Sequence, residues 1–277
     1  MTDLLTVEDL RITYPTRQGP SEVVRGVSFA LGRERLGIVG ESGSGKSQTG
    51  RALLGLTPAP GIATARRLEF DGIDLRQASP ATWRALRGIR ISMVMQDPKY
   101  SLNPVMTIGR QIVEAYRTQK GGAKTAARDR AMAMLEAVQI RDPSRVFNAY
   151  PHELSGGMGQ RAMLAMMLIT EPDLLIADEP TSALDVTVQL EVLAILDRLV
   201  ADRGMGLIFI SHDLRLVSTF CDRVLVMYAG RIVEEVKASD LANARHPYTQ
   251  GLYTCLPRIE GSQRPLQTLQ RDASWAL

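Results

Sequence analysis

Cysteine is almost missing from this chain. Its 277 residues hold two, Cys221 and Cys255, too few and too isolated for a disulfide framework or a thiolate metal cluster, which suits a reducing compartment and buried apolar roles for both. A membrane span is missing too, because no uninterrupted apolar run approaches the roughly 20 residues a bilayer crossing needs. The opening MTDLLTVEDLRITYP carries an acid at its third residue and no basic-then-apolar signal pattern. The chain is therefore expected to be soluble, with any membrane role lent by a partner. Charge of one sign is lacking as well: 33 basic and 30 acidic residues are interspersed for a net +3, so nucleic acid is not an expected partner. No segment repeats another.

What is present is apolar residue in quantity, 45% of the chain, enough for one large domain or a domain with a helical insert. The first third alternates in a strand-like way through LLTVEDLRITY, VVRGVSFAL and RLGIVG, and RRLEFDGIDL reads as a hairpin around Asp71 and Gly72. These segments predict an antiparallel β edge grafted to a core strand. Helical spacing runs over residues 46–56 until GLTPAPG breaks it. Residues 107–139 are rich in Ala, Met, Gln and Arg at helical spacing and predict a helical subdomain, in which Met132 and Met134 fill core gaps. After Leu154, helices alternate with the strands DLLIADEP and GLIFISHD, and a strand pair RVLVMYAGRIVEEV turns at Ala229 and Gly230. That alternation predicts a parallel α/β sheet. A short helix in HPYTQGLYTCL and a polar, poorly ordered tail close the chain.

Three motifs carry chemistry. GESGSGKS at residues 40–47 follows an apolar strand and opens a helix, the context in which G-x-x-x-x-G-K-[ST] is a phosphate loop. Gly40, Glu41, Ser42, Gly43, Ser44 and Gly45 supply the curled backbone, Lys46 reaches the β- and γ-phosphates, and the Ser47 hydroxyl holds Mg²⁺. LLIADEP at residues 174–180 is a buried strand delivering two acids to the ligand edge of a sheet. Asp178 is expected in the Mg²⁺ shell, and Glu179, on the other side of the strand, polarises a water. Gln96 and His212 each close a strand, where they can reach metal and water or a γ-phosphate. A second glycine run, ELSGGMGQR at residues 153–161, has no lysine and precedes a helix-forming stretch; alone, its SGG reads equally as a plain helix cap.

In order and across nearly the whole chain, these segments resemble the ATP-binding subunits of ABC transporters. GESGSGKS looks like the family's Walker A, Gln96 its Q-loop, LSGGM its signature, LLIADEP its Walker B, SALD its D-loop and His212 its switch histidine. The resemblance implies an α/β P-loop NTPase fold of the ABC ATPase kind, with a mixed central sheet, an antiparallel β subdomain and a helical subdomain at about 100–170. The nucleotide-binding domain would span 1–240, with a short C-terminal extension at 241–277. It also implies that Tyr14 stacks on adenine. Glu179, His212 and Gln96 would be catalytic, and Ser47, Gln96 and Asp178 would serve Mg²⁺. Ser155, Gly156 and Gly157 would face the ATP held by a second ATP-binding subunit, either a paralogous F-type chain or another copy.

Met158 replaces the commoner glutamine of the signature. Together with QDPKYSLNP, HPYTQGLY and LPRIEG it is similar to the oligopeptide, dipeptide and nickel importer branch, D-type subunit. Two membrane permeases and a periplasmic or extracellular solute-binding protein are then the wider partners, at the cytoplasmic face of the bacterial inner membrane. Cargo is expected to be peptide first, nickel or another small solute second. A non-transport ABC ATPase would carry tandem cassettes or a long coiled coil, and a nucleotide-holding module without turnover would not need Lys46, Asp178, Glu179 and His212 together. The iron–sulfur segment of many such subunits is not carried over, since only Cys255 lies in that region.

Overall fold

Alternation shapes the first strand, and one break in it carries a structural device. In β1 (Leu5–Thr16) the buried residues are Leu5 and Val7, then Leu10 and Ile12, a change of parity. The computed structural model, which describes residues 3–95, 101–182, 184–255 and 275, shows why. The pairing of β1 with β2 (Gly19–Leu31) slips between Val7 and Leu10, with Asp9 between them at φ 51. The extra residue keeps both apolar pairs facing the same core.

The chain divides into two units, residues 1–78 with 208–277, and residues 79–207. In the first, β1 also pairs antiparallel with β4 (Ile62–Thr64) and β5 (Arg67–Phe70), and β5 with β6 (Ile73–Asp74). The β5–β6 turn is the expected one, with Asp71 and Gly72 both at positive φ, 46 and 77, the backbone a two-residue hairpin requires. A second sheet runs in the order β11, β10, β3, β9. Within this unit its strands are β3 (Arg35–Val39), β9 (Gly206–Ser211), β10 (Arg223–Tyr228) and β11 (Arg231–Lys237). β9 begins in the second unit and ends in the first. β10 is parallel to β3 and antiparallel to β11, turning at Ala229 and Gly230 as expected. The sheet is thus mixed. Burial between β3 and its neighbours pushes the Cys221 thiol up to about 12, so this cysteine is the inert apolar filler its sequence context implied.

Helix α1 (Lys46–Leu53) stops earlier than the sequence spacing suggested. The Leu56 N–H donates to Arg51 O and the Gly55 N–H to Ala52 O, with Gly55 at φ 59. That is a Schellman closure, which ends the helix before the apolar spacing does. The other α-helices of this unit, among the described residues, are α8 (Leu214–Phe220) and α9 (Pro247–Thr254).

The second unit holds α2 (Pro80–Leu86), the parallel pair β7 (Ile91–Val94) and β8 (Leu174–Asp178), and the helices between them. The helical stretch expected over 107–139 is two helices, α3 (Ile108–Lys120) and α4 (Lys124–Ala137), parted at Gly121 and Gly122, both at positive φ. α5 (Pro143–Asn148) packs on α3, where a Cβ on Gly109 would lie 2.3 Å from the Phe147 ring. α6 (Gly156–Leu168) and α7 (Val186–Arg203) complete the unit. Serine or aspartate caps start several helices: the Ser79, Asp142, Ser155 and Asp185 side chains each accept a backbone N–H of the first turn.

Candidate functional site

The chain leaves β3 at Val39 and curls through residues 40–45 into α1. Gly40 has no room for a side chain: a Cβ there would sit 2.1 Å from the Met227 carbonyl oxygen and 2.8 Å from Ser44 Oγ. Gly43 and Gly45 stand at φ 83 and 101, a region that disfavours any other residue. Gly45 is the N-cap of α1, and no side chain caps that helix. An uncapped N-terminus with the helix dipole behind it suits an anion.

Lys46 is 5% exposed. Its ammonium donates to Gly40 O at 2.8 Å, Glu41 O at 2.8 Å and Ser44 Oγ at 3.4 Å. A buried ammonium is costly without such acceptors, and these hold it inside the curl of the loop. Ser42 and Gly43 are exposed, and Ser47 is half-buried on the first turn of α1. His212 follows β9 and is exposed. It shares a cavity of about 400 Å³ with Gly40, Glu41, Ser42, Leu252 and Cys255. Tyr14 lies near the end of β1, its hydroxyl bonded to Gln48 Oε1 at 2.9 Å. Its ring lies so close to Gly61 that a Cβ there would come within 2.6 Å of two ring atoms. Gln48 and Gly61 thus orient a candidate base-stacking ring. Neither carried a sequence signal beyond lying in a helix and a turn.

The second unit presents the acids and the second glycine run. β8 is buried along its whole length and ends at Asp178, itself 4% exposed. Glu179 differs from expectation. It lies beyond the strand, half-buried, with φ 47, so strand alternation does not set its direction. A glutamate in the left-handed region stores of order 1 kcal/mol, a cost met most often at functional positions. The turn after it is held by the Ser182 N–H and Oγ, which bond Glu179 O at 3.3 and 3.2 Å.

Ser155 is the N-cap of α6. Its Oγ accepts from the Met158 N–H at 3.4 Å, which leaves the hydroxyl proton to donate to an oxyanion. Gly156 has open space where a side chain would stand, whereas a Cβ on Gly157 would lie 2.7 Å from Val188 Cγ1. Gly157 therefore lets α6 approach the start of α7, and packing among the described residues gives Gly156 no such reason. Ser155, Gly157, Met158, Arg141, Arg145 and Val188 line a cavity of about 370 Å³. Gln160, 2% exposed, donates its carboxamide to Pro180 O, tying the signature helix to the turn that carries Glu179. Sequence inspection assigned no role to Gln160. Gln96, Ala183 of the SALD stretch and the LPRIEG segment lie outside the described residues.

Comparison with known proteins adds to this geometry. The family model described as ABC transporter matches residues 24–182. The chain is 45% identical over 269 residues to the dipeptide transport ATP-binding protein DppD of Haemophilus influenzae, covering 96% of this chain and 82% of that one. It is 46% identical over 265 residues to the oligopeptide transport ATP-binding protein OppD of Bacillus subtilis, covering 95% and 74%. Among solved structures it is similar to a dimeric bacterial ABC transporter cassette, with TM-score 0.75 and 25% identity over 84% of this chain and 98% of that one. It is also similar to cbiO1 of Clostridium perfringens, with TM-score 0.72 and 26% identity over 88% and 92%.

Proposed function

The chain belongs to the ABC transporter family, and from that premise we propose that it is the ATP-hydrolysing subunit of a peptide importer. The phosphate loop carries the reading: a curl that only glycine can make, a buried Lys46 ammonium inside it, and an uncapped helix start behind it. Relatives named for dipeptide and oligopeptide transport supply the cargo class.

In this reading the loop amides and Lys46 bind the phosphates of ATP, and Tyr14, braced by Gln48 and Gly61, covers the adenine. Ser47, Asp178 and Gln96 would hold Mg²⁺, which would supply neutralisation of phosphate charge. The donor set is the hydroxyl, carboxylate and amide oxygen chemistry that a hard cation takes. Glu179 accepts a proton from the attacking water, and His212 donates to the γ-phosphate region. Phosphoryl transfer needs positioning and charge stabilisation more than covalent chemistry. The donors that complete the site are then Ser155, Gly156 and Gly157 of a second ATP-binding chain. Gly156 fits that role, since among the described residues nothing lies within 4 Å of its open face. Closure of two chains on ATP, and release after hydrolysis, drives membrane permeases at the cytoplasmic face of the membrane.

The test is Glu179→Gln. Turnover falls roughly a hundredfold or more, the worth of a general base, while ATP affinity is kept and a closed dimer accumulates. Phosphate release at the wild-type rate removes Glu179 from the role of base.

A further inference from the structure

The helix at the C-terminal end, α9, lies far from the phosphate loop in sequence and touches it in space. The Glu41 N–H, at the second position of the loop, donates to the hydroxyl of Tyr248 at 3.0 Å, across 207 residues. Tyr248 is 0% exposed. Burying a phenol hydroxyl is unfavourable unless it is bonded, and a phenylalanine would fill the same space without that cost. The hydroxyl therefore has a use, and its partner is the loop.

The surroundings hold Tyr248 still. Its ring packs on Tyr228, with centroids 4.5 Å apart, and on Trp275 at 5.9 Å. Tyr228 directly follows Met227, whose carbonyl abuts Gly40 at the start of the loop. The start of α9 is pinned in turn: the N–H groups of Arg245 and His246 donate to Glu234 on β11 at 2.6 and 3.2 Å, and His246 Nδ1 accepts from the Tyr248 N–H. The consequence reaches the ammonium. Glu41 O accepts from Lys46 Nζ at 2.8 Å and from the Ser44 N–H at 3.2 Å. Gly40 O, which shares a rigid peptide plane with the Glu41 N–H, also accepts from Lys46 Nζ at 2.8 Å, so fixing that N–H orients a carbonyl that seats the ammonium.

We propose that Tyr248 is a positioning residue for nucleotide binding: its hydroxyl locks Glu41, and through Glu41 the curl that places Lys46, so that α9 is a working part of the ATP site. This rests on the ATP-binding reading above.

The experiment uses the full chain, wild type and Tyr248→Phe, with a fluorescent ATP analogue for affinity, amide exchange at isotope-labelled glutamate and serine, steady-state ATP hydrolysis and thermal unfolding. The variant keeps the ring and loses the hydroxyl. Loss of one buried hydrogen bond weakens ATP binding about three- to tenfold. It raises KM for ATP more than it lowers kcat, and it speeds exchange of the Glu41 N–H. A merely structural tyrosine would change the melting temperature and leave the KM and the Glu41 exchange alone. Unchanged ATP affinity in a folded variant overturns the proposal. So does a wild-type Glu41 N–H that exchanges as fast as that of Ser42, whatever the variant does. A wild-type chain that fails to bind ATP contradicts the ATP-binding reading itself, a result separable from either of these.

Discussion

Glycine 61 shows how much one missing methyl can decide. A Cβ there would meet two atoms of the Tyr14 ring at 2.6 Å and the Pro58 carbonyl at 2.9 Å, closer than real contacts allow. The carbonyl is backbone and cannot yield, so the ring must. Gly61→Ala is expected to displace Tyr14, strain its bond to Gln48 and weaken ATP binding several-fold. Tripolyphosphate has no base to stack, and its affinity should stay at the wild-type value. Equal losses for both ligands in a titration would contradict a base-stacking role for Tyr14. Local geometry was legible where its chemistry is local: eight consecutive positions state the glycine curl around Lys46, and the apolar run before Asp178 states a buried strand. Tyr248 and Gln160 were not legible, since each acts on a partner far along the chain. Nor was the left-handed backbone of Glu179, which the period-two reading of a strand cannot foresee.

Elements were legible where periodicity and punctuation agreed. The Asp71 and Gly72 hairpin, the Ala229 and Gly230 turn and the alternation of helices with buried strands all follow from local chemistry. The bulge at Asp9 and the early close of α1 depended on pairing and carbonyl closure, which residue spacing does not encode. The approach of α6 to α7 makes a claim at this scale. Gly157 sits against Val188 with room for a hydrogen only, so Gly157→Ala should cost about 1–3 kcal/mol of stability by overpacking. Val188→Ala added to it should return part of that loss, a coupling visible in a double-mutant cycle by urea unfolding. Additive effects would show that the two helices do not constrain each other there.

For the whole molecule, 33 basic and 30 acidic residues are interspersed for a net +3, and among the described residues no helix is long and apolar enough to cross a membrane. The phosphate loop and the signature run sit in different compact units of the chain, and the account assigns each to a different ATP. Under the proposed function, the working unit is then a pair of chains. The most direct test mixes Lys46→Ala chains with Ser155→Arg chains, each inactive alone, and measures phosphate release once differently tagged chains are shown to co-purify. A mixed dimer holds one site with an intact loop from one chain and an intact signature from the other. Equimolar mixing is therefore predicted to restore roughly a quarter of wild-type activity, half the dimers being mixed with one working site of two. Mixed dimers that form and release no phosphate above either parent would contradict the shared site.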